Sequence, residues 1–181
     1  KKGPYFAEEG DFSAAGAANI NYLSRLDRPD VRVAVGGQGW RRLFAAASPQ
    51  LGRGFLLGAL EVAHDDGPWA RPDNLRKVNA VLRYSQGDSR NGFSLTGMGY
   101  SARWDATDQV PQRAIVSGLI PRFGLLDPTD GGTTERQSLV VEFQRSGGPW
   151  SMRATAFVIR DRLNLFSNFT YFLDDPLNGD Q

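Results

Sequence analysis

Val78-Asn79-Ala80-Val81-Leu82-Arg83-Tyr84-Ser85 is the stretch on which the fold turns. Val78, Ala80, Leu82 and Tyr84 alternate with Asn79, Arg83 and Ser85, and Lys77 precedes them in the polar register. A side-chain period of two sends these sets to opposite faces of an extended chain, so a strand with one apolar face is predicted. Leu82 and Arg83 are therefore expected on opposite sides of a sheet. The same alternation recurs downstream. Leu139, Val141 and Phe143 oppose Ser138, Glu142 and Gln144, while Met152, Ala154, Ala156 and Val158 alternate with Ser151, Arg153 and Thr155. Strands are predicted over 31–37, 40–47, 55–64, 76–86, 92–104, 137–145 and 150–160. Residues 43–48 and 56–63 have some helical character, but both runs are short and bounded by Gly-rich turns. The predicted class is all-β and antiparallel.

The connections alternate in length. Residues 49–54, 86–91 and 146–149 are short and rich in Gly, Asp and Ser, as tight turns require. The run Gly36-Gly37-Gln38-Gly39 supplies another tight turn. Residues 65–74 form a longer connection, and 105–136 reads as a loop of a length that compact soluble domains rarely contain. The stretch after Leu163 reads as the rim of another loop. Short turns at one end and long loops at the other are the pattern of transmembrane β-barrels. Trp69 and Trp104 fall at long-loop ends and Trp150 at a short-turn end, which fits two interfacial aromatic girdles.

Composition narrows the function classes. The chain has 181 residues, a formal net charge of +1 and no cysteine. The near-neutral balance argues against a nucleic-acid partner, which calls for a basic face. Without cysteine there are no disulfides, thiolate metal sites or thiol nucleophiles. No apolar run reaches the roughly 18 residues of a membrane-spanning helix. Mean hydropathy is negative, which is neutral for a barrel, because every second residue of its strands faces a polar lumen.

Gly3-Pro4-Tyr5-Phe6-Ala7-Glu8-Glu9-Gly10-Asp11-Phe12-Ser13-Ala14-Ala15-Gly16-Ala17-Ala18-Asn19-Ile20 resembles the end of the plug domain of TonB-dependent receptors. The segments Trp104-Asp105-Ala106-Thr107-Asp108-Gln109-Val110-Pro111-Gln112-Arg113-Ala114, Arg122-Phe123-Gly124, Asp127-Pro128-Thr129-Asp130-Gly131-Gly132 and Leu165-Phe166-Ser167-Asn168-Phe169-Thr170-Tyr171-Phe172 resemble loop segments of one proteobacterial group of these receptors. Their order and spacing fit nearly the whole chain. The resemblance implies a plugged, 22-stranded barrel in the bacterial outer membrane, to which this chain contributes about seven strands. Residues 1–28 are then the end of the plug, and 29–181 the first part of the barrel with its long extracellular loops. It further implies a receptor that imports a scarce nutrient, such as an iron–siderophore complex. The implied partners are outer-membrane lipid, a small-molecule or metal-chelate ligand, and the TonB energy-coupling protein, reached through a plug region outside this chain. Because no TonB box, earlier plug or terminal aromatic strand is present, the chain reads as a fragment, starting at the last plug hairpin and stopping inside a loop.

Candidate residues are judged against plain structural roles. His64 stands beside Asp65 and Asp66 at a strand end, a poor geometry for ligation because adjacent side chains diverge. Asp127 and Asp130 with Gly131 and Gly132 lack the ligand spacing of a calcium loop, and Asx turns account for them. No nucleophile elbow surrounds a serine, and His64 is the single imidazole, so no catalytic residue, enzyme activity, cofactor or metal is expected. Asn168-Phe169-Thr170 is a chance glycosylation sequon. Glu61, Lys77, Arg83, Glu142 and Arg153 lie opposite the apolar stripe and are expected to face a barrel lumen. Trp69, Trp104, Asp105, Asp108, Arg113 and Arg122 are the expected ligand-facing loop positions. The competing reading is a soluble β-sandwich or small barrel serving as an adhesin or ligand carrier, with its apolar face against a second sheet.

Overall fold

The computed structural model describes residues 22–88, 90–106, 110–168 and 177. Eight strands form one antiparallel sheet: β1 (Asp30–Val35), β2 (Arg41–Ala47), β3 (Gln50–Leu51), β4 (Gly54–Asp65), β5 (Leu75–Gly87), β6 (Gly92–Asp105), β7 (Gly131–Gly147) and β8 (Trp150–Phe166). A five-residue helix, α1 (Gln112–Val116), interrupts the loop between β6 and β7. The order β1-β2-β4-β5-β6-β7-β8 is a plain meander, with β3 pairing β4 as a continuation of β2 beyond Pro49. The sheet is open, and β1 and β8 are its edges. All seven predicted strands are present, including those at 43–48 and 56–63 where helix competed.

Two boundaries differ from expectation. The strand predicted from 137 begins at Gly131, and the one predicted to end at 160 continues to Phe166. The long loop therefore spans 106–130. Gly-Gly-Thr-Thr-Glu-Arg shows no hydrophobic alternation, yet it pairs fully with β6 on one side and β8 on the other, from Gly131 opposite Asp105 and Phe166 onward. Backbone pairing, rather than burial of apolar side chains, holds this extension.

The turns follow from local chemistry. Gly147 pairs with Trp150, and Gly148 between them has φ 55°, as the first central residue of a two-residue hairpin turn of the II′ kind requires. Between β5 and β6, the Asp88 carboxylate accepts the backbone N–H groups of Arg90 (2.7 Å) and Asn91 (2.8 Å), an Asx turn that supports the closing Gly87–Gly92 pair. The turn at 36–39 is closed by Gly36 N–H donating to the Trp40 carbonyl at 2.8 Å.

The strand register sorts side chains into two unlike faces. Leu82, with Val78, Ala80 and Tyr84, shares one face with Val33, Leu43, Leu60, Leu95, Leu139 and Val158. Arg83 lies on the other face, with Glu61, Lys77, Ser94, Thr96 and Glu142. Burial runs opposite to polarity. On the interior strands, Leu82 and Leu139 of the apolar face are 56% and 50% exposed, whereas Ser94 and Thr96 of the polar face are 4% and 1% exposed.

The apolar residues form a band that is oblique to the strands. They occupy 31–35, 43–47, 56–62, 78–84, 93–97, 139–143 and 152–158 on successive strands. Followed through the pairing register, the middle of this band slides steadily toward the short-turn end, by about seven residues from β1 to β8. With about 3.3 Å per residue and about 4.8 Å per strand step, the strands tilt by roughly 40° from the normal to the band. Among the described residues no helix is long and apolar enough to cross a membrane.

Candidate functional site

The polar face carries a chain of ion pairs. Arg42 on β2 and Lys77 on β5 both lie opposite Ala63, and Glu61, two residues before it on β4, meets both diagonally: Lys77 Nζ lies 2.7 Å from its carboxylate and the Arg42 guanidinium binds the other oxygen. Further toward the short-turn end, Arg83 Nη1 donates to Thr96 Oγ1 (2.7 Å) and Glu142 Oε2 (3.0 Å), and Ser94 Oγ donates to the same carboxylate oxygen (2.8 Å). Arg136 and Asp161 make a more exposed pair at 3.4 Å between β7 and β8. All five residues expected on the lumen side, Glu61, Lys77, Arg83, Glu142 and Arg153, share this face. A cleft of about 500 Å³ opens beside Arg83, Ser85, Glu142 and Arg153.

The segment preceding β1 crosses this cleft. Ser85 Oγ donates to the Ser24 carbonyl at 3.3 Å, Leu26 N–H donates to Ser48 Oγ at 2.7 Å, and the Arg25 guanidinium stands 5.1 Å above the Phe55 ring. The chain thus reaches its first strand along the polar face, at the short-turn end. The plug assignment of residues 1–28 lies largely outside the described residues, and only 22–28 are seen.

At the other end, the two long connections fold into one cap. The Trp69 and Phe123 rings pack 6.1 Å apart, Ala70 N–H donates to the Phe123 carbonyl at 2.8 Å, and the Arg71 guanidinium binds the Pro128 carbonyl. Asp105 joins the same cap through Asn74 Nδ2 (2.9 Å) and the Arg71 guanidinium (3.6 Å). Asp127 and Asp130 are buried. The Asp127 carboxylate accepts Thr129 N–H at 2.9 Å, as an Asx turn does, and its other oxygen accepts Asn168 Nδ2 at 3.0 Å. Asp130 Oδ1 accepts Asn168 N–H at 3.0 Å. These acids fasten the loop to the end of β8.

Crowding of carboxylates shapes this cap electrostatically. Burial pushes Asp73 above the ordinary carboxylate range, and Asp65, Asp105 and Asp66 add to that, against a hydrogen bond from Trp69. His64 Nε2 sits 2.9 Å from Asp66, while the register turns Asp65 to the opposite face.

The expected loop residues do not converge on one surface. Trp69 is half-buried and Asp105 is engaged within the cap. The Arg122 guanidinium stands 5.9 Å from the neighbouring Phe123 ring, and Arg113 is exposed on α1. Trp104 shares its face with Ala102 and Thr96, not with the apolar band, and its ring covers Gly132, where a Cβ atom would come within 2.7 Å. Asp108 lies outside the described residues. The aromatic level at the short-turn border is clearer: Tyr84 and Phe93 pack at 5.7 Å, with Phe143 and Trp150 on the same face. No family model, curated protein or solved structure matches this chain.

Proposed function

We propose that this sheet is wall from a TonB-dependent receptor of the bacterial outer membrane, which takes up a scarce nutrient such as an iron–siderophore complex. One observation carries the reading: the apolar face is the exposed one and the polar face holds the buried residues. In water, an uninterrupted apolar surface across seven strands is costly, whereas in lipid it is the favourable surface and the charges belong inside. The oblique band agrees, since barrel closure tilts strands by about 35–45°. Backbone at a sheet edge needs partners inside a membrane, so β1 and β8 continue into further strands in this reading. The entry of residues 22–28 across the polar face, from the short-turn side, suits a plug held inside the wall and reached by TonB from the periplasm. Ligand then meets the loop cap from outside, and no covalent chemistry is involved.

Site-directed spin labels test the assignment. Labels at Leu82, Leu139 and Val158 of the intact protein in vesicles should collide with oxygen far more than with a water-soluble nickel chelate, and labels at Thr96 and Ser138 the reverse. Preference for the nickel chelate at the first three positions would instead support a soluble binding module whose apolar face is covered by another sheet.

A further inference from the structure

We infer that the long-loop border of the apolar face binds the phosphate head groups of anionic lipid, an inference that rests on that face meeting acyl chains. The register sets Arg41, His64, Arg76 and Arg103 side by side on β2, β4, β5 and β6, each directly opposite the next. Arg160 and Arg162 continue the border on β8. These five arginines are exposed, and among the described residues none makes an ion pair. The polar face is organised differently: Arg32, Arg42, Arg83 and Arg136 each hold a carboxylate. The acids near the arginine border are Glu135, opposite Arg162, Asp66, which is engaged by His64, and Asp105, two residues beyond Arg103 on the same face and engaged by Asn74 and Arg71, with Asp73 beside it.

Like charges placed directly opposite on neighbouring strands repel, as the Arg76–Arg103 pair does. An anion between the guanidinium groups relieves it, and the planar fork of arginine suits phosphate oxygens. Position specifies the source of the anion. Counted from the middle of the apolar stretch on its own strand, each of these arginines lies about four to eight residues toward the loop end, Arg103 farthest. With the strands tilted by roughly 40°, that is about 10–20 Å from the mid-line, at and just beyond the edge of an apolar band about 25 Å tall, where head-group phosphates lie. The short-turn border of the same face is aromatic and has no comparable row.

The test uses the intact protein in phosphatidylcholine vesicles containing trace spin-labelled phosphatidic acid or spin-labelled phosphatidylcholine. Wild-type protein should immobilise the phosphatidic acid about threefold more strongly or better at low salt. The double variant Arg76→Gln/Arg103→Gln should bring the ratio close to one, Arg76→Lys/Arg103→Lys should retain most of it, and Arg145→Gln at the other border should leave it unchanged. Equal immobilisation of both lipids by the wild type, or loss of the preference on adding millimolar inorganic phosphate, overturns the inference; the second result identifies a free anion as ligand. A spin label at Leu82 reports separately on acyl-chain contact. If that label meets water, the underlying placement of the face fails, and the inference fails with it.

Discussion

Leu82 and Arg83 are adjacent in sequence and opposite in every physical respect. Leu82 projects from the exposed apolar band, and Arg83 is buried between Thr96 and Glu142. Leu82→Arg in the intact protein should cost about 2–4 kcal/mol of folding stability in lipid, measured by denaturant titration in vesicles. An effect below a few tenths would remove Leu82 from the membrane. Arg83→Leu also has a cost, about 1–2 kcal/mol, because Thr96 and Glu142 lose a charged donor, although the exposure of Glu142 limits the loss. The same titration checks this, and Thr96→Val in the Arg83→Leu background should recover part of it. Gly132 is constrained by contact rather than charge. Gly132→Ala drives a methyl group into the Trp104 ring and the Asn164 carbonyl, so a destabilisation of about 1–3 kcal/mol with a shifted Trp104 emission is expected. Asp73 gives a pH signature. Its raised pKa means that the folded cap holds a proton more tightly than the unfolded chain, so Asp73 favours folding most below its ordinary value of 3.8. That contribution disappears as pH rises through the raised value. Asp73→Asn should therefore protect the cap from proteolysis at neutral pH and flatten its pH dependence, whereas a steeper loss of protection in the variant would contradict the assignment.

The loop cap behaves as one element made from two connections. Replacing residues 111–126 with a short Gly/Ser linker leaves the strand pairing and the Asp127–Asn168 tie in place, and loop closure costs change only slowly with length. Heat-resistant migration on a gel should persist, but Trp69, deprived of the Phe123 ring, should become a chymotryptic site. Continued protection of Trp69 would show that residues 66–74 stand without the longer loop. Strands were legible where polarity alternates, as in Val78–Ser85, because a period of two sorts apolar and polar side chains onto opposite faces. The first six residues of β7 were not legible, because Thr133, Thr134, Glu135 and Arg136 are polar on both faces and are held by backbone pairing to strands distant in sequence. That Glu61, Lys77, Arg83, Glu142 and Arg153 share the polar face could be assigned by parity alone. Their pairing partners could not, since Arg83 meets Glu142 only through the registers of β5, β6 and β7. Trp104, expected at an aromatic girdle, lies instead on the polar face, and one residue of parity separates the two faces. The tie between Asp127, Asp130 and Asn168 also joins distant residues, and no local spacing announces it.

At the scale of the whole molecule, the proposed membrane placement has a consequence for the open sheet and its two unpaired edges. The described chain by itself should not make liposomes permeable, because its two edges leave backbone groups that lipid cannot satisfy. Swelling rates with this chain should equal those of protein-free vesicles, and a conducting pore would mean that the sheet closes on itself. The meander described above also carries a kinetic consequence. Each strand pairs with its neighbour along the chain, and most of the hairpins close over a turn of a few residues, while β4–β5 and above all β6–β7 must first close the longer connections 66–74 and 106–130. Growth of the sheet is then a sequence of pairings between consecutive strands, of which β6–β7 carries the largest loop-closure cost. Each newly formed edge is the template for the next strand, so at every intermediate stage the growing margin is where a stray chain can attach and where a folding helper has most to protect.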